Sequence, residues 1–498
     1  MTSASAKTKT LSELGLTARG GRNPRVSGLA VDSREVRDGT LFAALPGTKV
    51  HGARFAEGAI ADGAVAILTD SVGAAMVAEL DGDVAVVVAE DPRAALAGAA
   101  ALWFGAQPET MIAVTGTNGK TSVATFARQI WTLLGEEAIN LGTTGIEGAW
   151  SAPLHHTTPE PITLHRALSE AAGAGITHAA MEASSHGLAQ RRLDGVHLAA
   201  AGFTNFTQDH LDYHESFEAY FDAKAGLFDR VLPEDGVAVI NIDDPKGEDM
   251  ASIATLRGQE VIRVGHGPNA DLRIGTQRFD ATGQELRFDW QGASHQVRLN
   301  LIGGFQAENV LLAAGLVIGA GDDPDRVFEV LPSLVTVRGR MQHAATRQNG
   351  AAVFVDYAHT PDAVATALRA LRPHVMGRLV AIIGAGGDRD TTKRPLMGEA
   401  ASYHADMVIV TDDNPRSEDP AAIRAAVLAG TSGGEQVIEV ADRAEAILRG
   451  VDALGPGDAL LIAGKGHESG QVVGDTVYPF DDVEQASVAV SALDGGLA

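Results

Sequence analysis

Short apolar runs separated by glycine-containing turns fill the first hundred residues of the chain. These runs cover residues 29–31, 40–45, 64–68 and 84–88. Apolar runs of this length, bounded by turn residues, are typical of buried strands. The pattern predicts a small α/β domain over residues 1–106, which ends where Gln107-Pro108 interrupts it.

A second series begins at residue 107, where apolar runs alternate with stretches of helical periodicity. The strand candidates are 111–115, 178–182, 199–205 and 237–241. This alternation predicts a mostly parallel sheet covered by helices. Between Leu272 and Ile302 the apolar period changes to two on either side of Gln291-Gly292, which predicts an antiparallel hairpin appended to the sheet. We place this central domain at residues 107–337.

A third series of strands and helices follows Arg338-Gly339-Arg340 and defines a last domain at residues 338–498. Its strand candidates are 352–355, 379–383, 407–410 and 459–462. The sequence therefore predicts an α/β protein of three domains. The first is small, the second has a P-loop ATPase-like sheet with an appended hairpin, and the third is Rossmann-like.

Composition and charge narrow the class of protein. Of the 498 residues, 45% are hydrophobic and 21% are charged, which is ordinary for globular domains. The net charge of −25 repels a phosphate backbone, so we expect no nucleic-acid partner. The absence of cysteine excludes disulfides and cysteine-based zinc sites and favours a cytoplasmic location. No secretory signal is expected, and no apolar stretch reaches the roughly 20 residues that span a bilayer, so we expect no membrane insertion.

A glycine-rich loop joins the strand candidate 111–115 to a stretch of helical periodicity. Its sequence is Gly116-Thr117-Asn118-Gly119-Lys120-Thr121. In such a loop the backbone N–H groups and the helix N-terminus contact phosphate oxygens, the lysine reaches the outer phosphates, and the hydroxyl holds Mg²⁺. Val114 stands where the usual motif has glycine, so the loop is a variant. We expect ATP as the ligand, and the alternative is a glycine-rich turn with an incidental lysine.

Polar residues at two further strand ends are candidates for binding the metal and the group that accepts the phosphate. Glu182 ends the strand candidate 178–182, at the sheet edge where α/β proteins bind ligands, and its carboxylate can take Mg²⁺. His210 follows the next strand. Taken by itself it is more simply interpreted as a loop histidine, because Mg²⁺ prefers oxygen ligands.

Lys224 lies in the apolar stripe of a predicted helix over residues 216–228. It shares this face with aromatic residues at helical spacing, including Phe217, Tyr220 and Phe221. Burial lowers a lysine pKa, and the neutral amine can add CO₂ to form a carbamate that ligates a metal. The alternative is a lysine that packs its stem and extends its ammonium to solvent.

The motifs together closely resemble those of the ATP-dependent Mur ligases, from about Asp32 to the C-terminus. The resemblance is carried by residues 116–121, Met181-Glu182-Ala183-Ser184-Ser185-His186, 205–214, Ala223-Lys224, Gly339-Arg340-Met341 and 356–362. Residues 31–34 and 38–42 match the uridine-binding domain of the family. These enzymes build the peptide stem of peptidoglycan in the bacterial cytoplasm. The resemblance implies that the three domains bind UDP, ATP and the incoming amino acid, in that order.

The resemblance also implies roles for individual residues. The catalytic positions are Lys120, Glu182, His210 and Lys224, and the metal positions are Thr121, Glu182, His210 and Lys224 as a carbamate. The ATP-binding positions are Gly116, Thr117, Asn118, Gly119, Lys120, Thr121, Ser122, Asn309, Arg340 and Asp356. The UDP-muramyl-dipeptide positions are Ser33, Thr157, Thr158, Ser184, Gln190 and Arg192. The amino-acid positions are Arg389, Asp413, Asn414, Pro415, Arg416, Gly464 and Glu468.

The implied activity is an ADP-forming amide ligase. It would add meso-diaminopimelate to the D-Glu of UDP-N-acetylmuramoyl-L-Ala-D-Glu through an acyl phosphate, with ATP as co-substrate and Mg²⁺ as cofactor. We expect it to act as a monomer in the cytoplasm, in peptidoglycan synthesis and hence in cell shape and division.

Two other functions use some of the same motifs. A folylpolyglutamate synthase type of ligase would share the phosphate loop and the lysine, but it is not expected to carry the N-terminal Asp32-Ser33-Arg34 segment or residues 413–416. A P-loop kinase or nucleotide-driven switch would use residues 116–121 without joining an amine. Uracil-nucleotide binding by the isolated N-terminal domain would separate the first alternative from the Mur-type ligase. The second alternative predicts ATP turnover that is insensitive to diaminopimelate.

Overall fold

The computed structural model describes residues 7–47, 50–80, 84–154, 156–207, 214, 216–280, 282–431 and 436–495. The chain forms two compact units: Met1–Leu272 with Leu311–Val327, and Arg273–Val310 with Phe328–Ala498. The mixed α/β architecture is the one predicted, with a small N-terminal sheet, a central parallel sheet and a C-terminal sheet. The bounds of the three domains proposed from the sequence stay predictions.

The N-terminal part of the first unit is a four-stranded parallel sheet in the order β3-β4-β5-β6. Alternate residues of its strands face two cores: Leu41 and Leu68 pack with Trp103, whereas Phe42 and Ile67 pack on the other face. Helices therefore cover both faces, as the continuous apolar runs predict. The elements are β1 (Lys9–Thr10), β2 (Arg25–Val26), β3 (Gly28–Ala30), β4 (Thr40–Ala43), α1 (Ala56–Ala61), β5 (Ala64–Thr69), α2 (Ser71–Met76), β6 (Ala85–Val88) and α3 (Pro92–Phe104).

The central sheet of the first unit has the strand order β13-β12-β11-β7-β10-β8-β9, and every pair is parallel except β8 with β9. Its strands are β7 (Thr110–Thr115), β8 (Ala138–Gly142), β9 (Gly145–Gly148), β10 (His178–Glu182), β11 (Ala200–Phe203), β12 (Val237–Asn241) and β13 (Glu260–Gly265). Its helices are α4 (Lys120–Leu134), α5 (Pro161–Gly173), α6 (Ser185–Ala189), α7 (Phe217–Gly226) and α8 (Gly247–Leu256). Because β10, β7 and β11 are parallel neighbours, their carboxyl ends lie side by side at one edge.

The second unit contains the predicted hairpin. Strands β15 and β16 pair in antiparallel fashion around Gln291-Gly292, and both turn residues have positive φ (49° and 84°), which suits a tight two-residue turn. A third strand, β14, was not predicted and lies next to β15. The strands are β14 (Leu272–Asp280), β15 (Gly283–Trp290) and β16 (Ala293–Leu299). The two helices that follow, α9 (Phe305–Gly319) and α10 (Pro324–Val330), belong partly to the first unit, which includes Leu311–Val327.

The rest of the second unit is built on a six-stranded sheet in the order β17-β18-β22-β19-β20-β21, parallel except for β17, and β23 and β24 form a separate antiparallel pair. Its elements are β17 (Gln342–Thr346), β18 (Ala352–Asp356), α11 (Pro361–Leu371), β19 (Leu379–Ile383), α12 (Lys393–His404), β20 (Met407–Val410), α13 (Pro420–Leu428), β21 (Val437–Glu439), α14 (Arg443–Asp452), β22 (Ala459–Ala463), β23 (Gly470–Val473), β24 (Thr476–Pro479) and α15 (Asp482–Leu493). In the described part of the chain, none of the helices combines the length and apolarity that a membrane span requires.

Candidate active site

The glycine-rich loop leaves β7 at Thr115 and enters α4 at Lys120. Gly116 has φ of 145°, and a Cβ on this residue would lie 1.9 Å from Thr204 Oγ1, so the position requires glycine. The Lys120 ammonium donates to the carbonyl oxygens of Gly116 and Thr117, both at 2.9 Å. The ammonium thus lies against the loop, where it adds its charge to that of the α4 N-terminus.

Asn205 holds the loop in this conformation. The N–H of Thr117 donates to the Asn205 carbonyl oxygen, and the N–H of Asn118 donates to Asn205 Oδ1, each at 2.9 Å. Because these two N–H groups are engaged by protein, the first N–H groups of α4, beginning at Gly119 and Lys120, are the ones suited to a phosphate.

Glu182 is a buried carboxylate at the carboxyl end of β10. Its Oε1 accepts from Thr121 Oγ1 at 3.0 Å and from the N–H of Thr143 at 2.8 Å. The side chain needs the space beside Gly142, since a Cβ on that glycine would lie 1.9 Å from Glu182 Oε1. A carboxylate that is only 2% exposed is costly unless donors or a cation compensate its charge. The Glu182 and Thr121 oxygens form a donor set of the kind that Mg²⁺ prefers.

The positions predicted to contact the muramyl dipeptide lie beside Glu182. Thr157 Oγ1 is 3.1 Å from Thr143 Oγ1, and Thr158 Oγ1 donates to the Glu182 carbonyl oxygen at 2.9 Å. The N–H of Ser184 in turn donates to Thr158 Oγ1 at 3.0 Å. The carboxylate, both threonines and Ser184 therefore form one connected polar group.

Arg192 extends this group to Gln190. Its guanidinium donates to the Thr158 carbonyl oxygen at 2.5 Å and to Gln190 Oε1 at 3.2 and 2.9 Å. The structure thus brings together five of the six predicted dipeptide positions. The sixth, Ser33, lies after strand β3 of the N-terminal part, in the short 3₁₀ helix Ser33–Glu35 capped by Asp32.

Lys224 is buried with its ammonium, so the alternative that the ammonium extends to solvent is wrong. The residue is 1% exposed, and its Nζ donates to the Gly116 carbonyl oxygen at 2.7 Å and lies 4.5 Å from the centre of the Tyr220 ring. Helix α7 is followed by a π-helical turn, Leu227–Val231, three residues beyond this lysine. Turns of this kind are frequent at functional sites. The Lys224 ammonium therefore contacts the glycine-rich loop directly.

Two further predicted positions are His210 of the metal set and Asn309 of the ATP set. His210 lies outside the described residues. Asn309 lies on α9, is 8% exposed and donates to Gln306 Oε1 at 3.3 Å.

In the second unit, Asp356 ends β18 and holds the segment that carries Arg340. Its carboxylate accepts from the N–H of Met341 at 2.6 Å and from the N–H of Ala358 at 2.9 Å. Burial raises the pKa of this carboxyl, against the opposite effects of the nearby Arg340 and of the two N–H groups. The Arg340 guanidinium lies 4.8 Å from the centre of the Tyr357 ring.

The residues predicted to hold the amino acid converge at the carboxyl ends of β19, β20 and β22. Arg416 has φ of 52° and donates to the Gly387 carbonyl oxygen at 2.8 Å, so it is not a freely solvated loop residue. Arg389 is exposed on the neighbouring loop. Asn414 donates to Glu468 Oε2 at 2.8 Å. A Cβ on Gly464 would lie 2.5 Å from Asp413 Oδ2, so this glycine makes room for the carboxylate.

The sequence analysis missed two polar residues of these sites. The backbone N–H of Thr143 donates to Glu182. A side-chain pattern cannot predict this contact, because every residue except proline carries a backbone donor. Lys465 is fully buried between Asp413, Asn414 and Glu468. Its sequence context, Gly464-Lys465-Gly466 directly after a buried strand, is a signal of the same kind as the phosphate loop and marks a candidate site.

Comparison with known proteins shows the family to which the chain belongs. The chain matches the Mur ligase family catalytic domain over residues 25–104, the Mur ligase middle domain over 114–317 and the Mur ligase glutamate ligase domain over 339–466. The protein belongs to the Mur ligase family, as the sequence motifs predicted.

Within the family, the chain is similar to proteins named UDP-N-acetylmuramoyl-L-alanyl-D-glutamate–2,6-diaminopimelate ligase. The protein of that name from Caulobacter vibrioides is 49% identical over 95% of this chain and 97% of its own length. The one from Bradyrhizobium diazoefficiens is 49% identical over 94% and 95%. A solved structure with the same name covers 98% of this chain and 99% of its own, with 35% identity and a TM-score of 0.73.

The space beside Gly142 yields a prediction. Replacing Gly142 by alanine should displace the Glu182 carboxylate from Thr121 and Thr143, because the new Cβ would overlap it. We expect the ATP-dependent turnover typical of this family to fall by roughly 100-fold, the loss that a displacement of about 1 Å can cause. Steady-state phosphate release measures it.

The matched control for this variant is Gly98→Ala in α3, where nothing lies within 4 Å of the new Cβ and alanine favours the helix. Its turnover should equal that of the wild type. A Gly142→Ala enzyme with wild-type turnover would contradict the role given to the Glu182 carboxylate.

Proposed function

We propose that the protein is an ADP-forming amide ligase that joins meso-diaminopimelate to the D-Glu of UDP-N-acetylmuramoyl-L-Ala-D-Glu, in cytoplasmic peptidoglycan synthesis. The observation that carries the proposal is the connected polar group around Glu182. Thr121 of the glycine-rich loop and Thr143 both donate to the buried Glu182 carboxylate, and Thr143 in turn contacts Thr157, a proposed dipeptide position. Thr158, another proposed dipeptide position, donates to the main-chain carbonyl of Glu182. The names of the relatives that match nearly the whole chain support the choice of substrates.

The first step transfers a phosphoryl group. A γ-carboxylate oxygen of the D-Glu residue attacks the γ-phosphorus of ATP, the bond to the bridging oxygen breaks, and ADP leaves. The Lys120 ammonium and the α4 N-terminus stabilise the charge on the transferring oxygens. The acyl phosphate that forms has a good leaving group where the carboxylate had a poor one.

The second step forms the amide. The neutral amine at the L-centre of diaminopimelate attacks the acyl carbon, the nitrogen loses one proton to solvent, and the tetrahedral intermediate expels phosphate with the carbon–oxygen bond electrons. Arg416 and Arg389 offer guanidinium groups for carboxylates of diaminopimelate, whereas Asp413 and Glu468 offer carboxylates for its distal ammonium. Lysine lacks the distal carboxylate, so it would leave an arginine of the pocket without its anion.

The residues present fit the Mg²⁺ that the family implies. The oxygens of Thr121 and Glu182 would hold it, together with a carbamate on Lys224, and bound Mg²⁺ would neutralise phosphate charge. Carbamate formation requires a neutral amine and releases one proton as the amine nitrogen adds to CO₂. Lys224 is buried beside Tyr220, and its Nζ lies 2.7 Å from the Gly116 carbonyl oxygen, so a carbamate on this residue would lie at the glycine-rich loop.

The proposed reaction requires all three substrates. Phosphate release should be near background when UDP-N-acetylmuramoyl-L-Ala-D-Glu or diaminopimelate is omitted, and full only in the complete mixture. The measurement is coupled phosphate detection with each component left out in turn, with L-lysine in place of diaminopimelate as a specificity control. A kinase or switch would release phosphate without regard to diaminopimelate, and that result would overturn the proposal.

The carbamate yields a second prediction. Lys224→Ala should remove most of the activity, by at least about tenfold, because a metal-binding carboxylate is lost, and added bicarbonate should not restore it. Carbon-13 NMR of the wild type equilibrated with labelled bicarbonate should show a carbamate signal that the variant lacks. The control is Lys246→Ala, since Lys246 also lies near an aromatic ring, Phe221, but has a side chain that is 42% exposed. Near-normal turnover of Lys224→Ala would rule out the carbamate.

A further inference from the structure

Lys465 lies at the centre of the amino-acid pocket, yet none of the roles proposed above uses it. The side chain is 0% exposed and follows β22 between Gly464 and Gly466. Its Nζ donates to Asn414 Oδ1 at 2.9 Å and to the Gly470 carbonyl oxygen at 2.7 Å. An ammonium has three donors and no acceptor, so a buried one is retained only where acceptors surround it.

The groups around this ammonium are acidic. Asp413 Oδ1 and Glu468 Oε2 each lie 3.7 Å from Nζ, close enough for attraction but beyond a hydrogen bond. Burial lowers the pKa of Lys465, whereas the two carboxylates act in the opposite direction and Arg443 adds to the lowering. Arg443 is itself committed to Asp482 and to the Ala463 carbonyl oxygen.

The contacts of Asn414 indicate how the Lys465 ammonium fixes the orientation of this amide. Asn414 Oδ1 accepts from Lys465 and also from the N–H of Val472 at 2.9 Å, while Nδ2 donates to Glu468 Oε2 at 2.8 Å. Because Lys465 only donates, the amide oxygen must face it, and the amide N–H₂ must therefore face Glu468. Without the ammonium, the Asn414 amide oxygen would keep only the N–H of Val472 as a donor.

We infer that Lys465 is a positioning residue for the amino-acid substrate: it orients the Asn414 amide and thereby holds the Glu468 carboxylate where it binds the substrate ammonium. The inference rests on the proposed function for the identity of the amino acid. It also gives the pocket a defined charge, since one buried cation offsets one of the two carboxylates, Asp413 and Glu468, and leaves one to match one ammonium.

The test compares Lys465→Met with the wild type in steady-state kinetics for each substrate. Removing the ammonium should raise the KM for meso-diaminopimelate by roughly 10- to 100-fold, the effect of leaving a buried polar group unpaired. The KM values for ATP and for UDP-N-acetylmuramoyl-L-Ala-D-Glu should stay within about threefold, well under the tenfold that corresponds to 1.4 kcal/mol. Lys465→Gln, which is neutral but polar, is the second variant and should show the same selective rise.

A control separates positioning from loss of stability. Arg378 makes a comparable set of contacts, with Asp458 and the Ala453 carbonyl oxygen, but it precedes β19 and so lies at the opposite edge of the sheet. Arg378→Met should lower the melting temperature without changing the KM for diaminopimelate. A structural role for Lys465 would make its variants behave like this control.

A double-mutant cycle with Glu468→Gln adds a second readout. If Lys465 acts through Glu468, the rise in KM caused by Lys465→Met should be much smaller in the Glu468→Gln background. Equal effects in both backgrounds, an unchanged KM for diaminopimelate, or an equal rise in the KM for ATP would overturn the inference. A wild type whose phosphate release ignores diaminopimelate would instead overturn the proposed function.

Discussion

The burial of one carboxylate, Glu182, organises the central site. A carboxylate removed from water must be met by donors or cations, and here the donors come from two separate segments: the first turn of α4 through Thr121 and the turn after β8 through Thr143. The backbone of the same residue is bonded by Thr158. The glycine-rich loop and the segment proposed to bind the dipeptide are thus both bonded to Glu182, and Gly142 leaves the space that its carboxylate occupies.

The proposed amino-acid pocket of the second unit has the opposite arrangement of charge. There a buried cation, Lys465, lies among acidic and amide side chains that follow parallel strands. The central site presents a buried anion that suits a divalent cation, whereas the pocket presents carboxylates whose charge an internal ammonium partly offsets. In both sites the parallel strands bring together residues far apart in the sequence, such as Thr121 with Glu182 and Asn414 with Glu468.

The sequence predicted the strands well because each buried parallel strand is one continuous apolar run bounded by polar or turn residues. Strands β10, β12, β19 and β20 have the predicted bounds to the residue. Periodicity could not say whether the Lys224 ammonium reaches solvent, because that depends on the loop at Gly116 packed against it. It also missed Lys465, since a residue after a strand end has no periodic pattern, and β14, since its polar face obscures the apolar one.

The central chemical claim is that the carboxylate becomes an acyl phosphate before the amine attacks. Labelling both oxygens of the γ-carboxylate of the D-Glu residue with oxygen-18 tests this claim directly. The oxygen that attacks phosphorus must leave with the phosphate when the amide forms. Mass spectrometry of the products should find one labelled oxygen in the released phosphate and the other in the new amide. Phosphate without label, with turnover otherwise normal, would contradict phosphoryl transfer to the carboxylate.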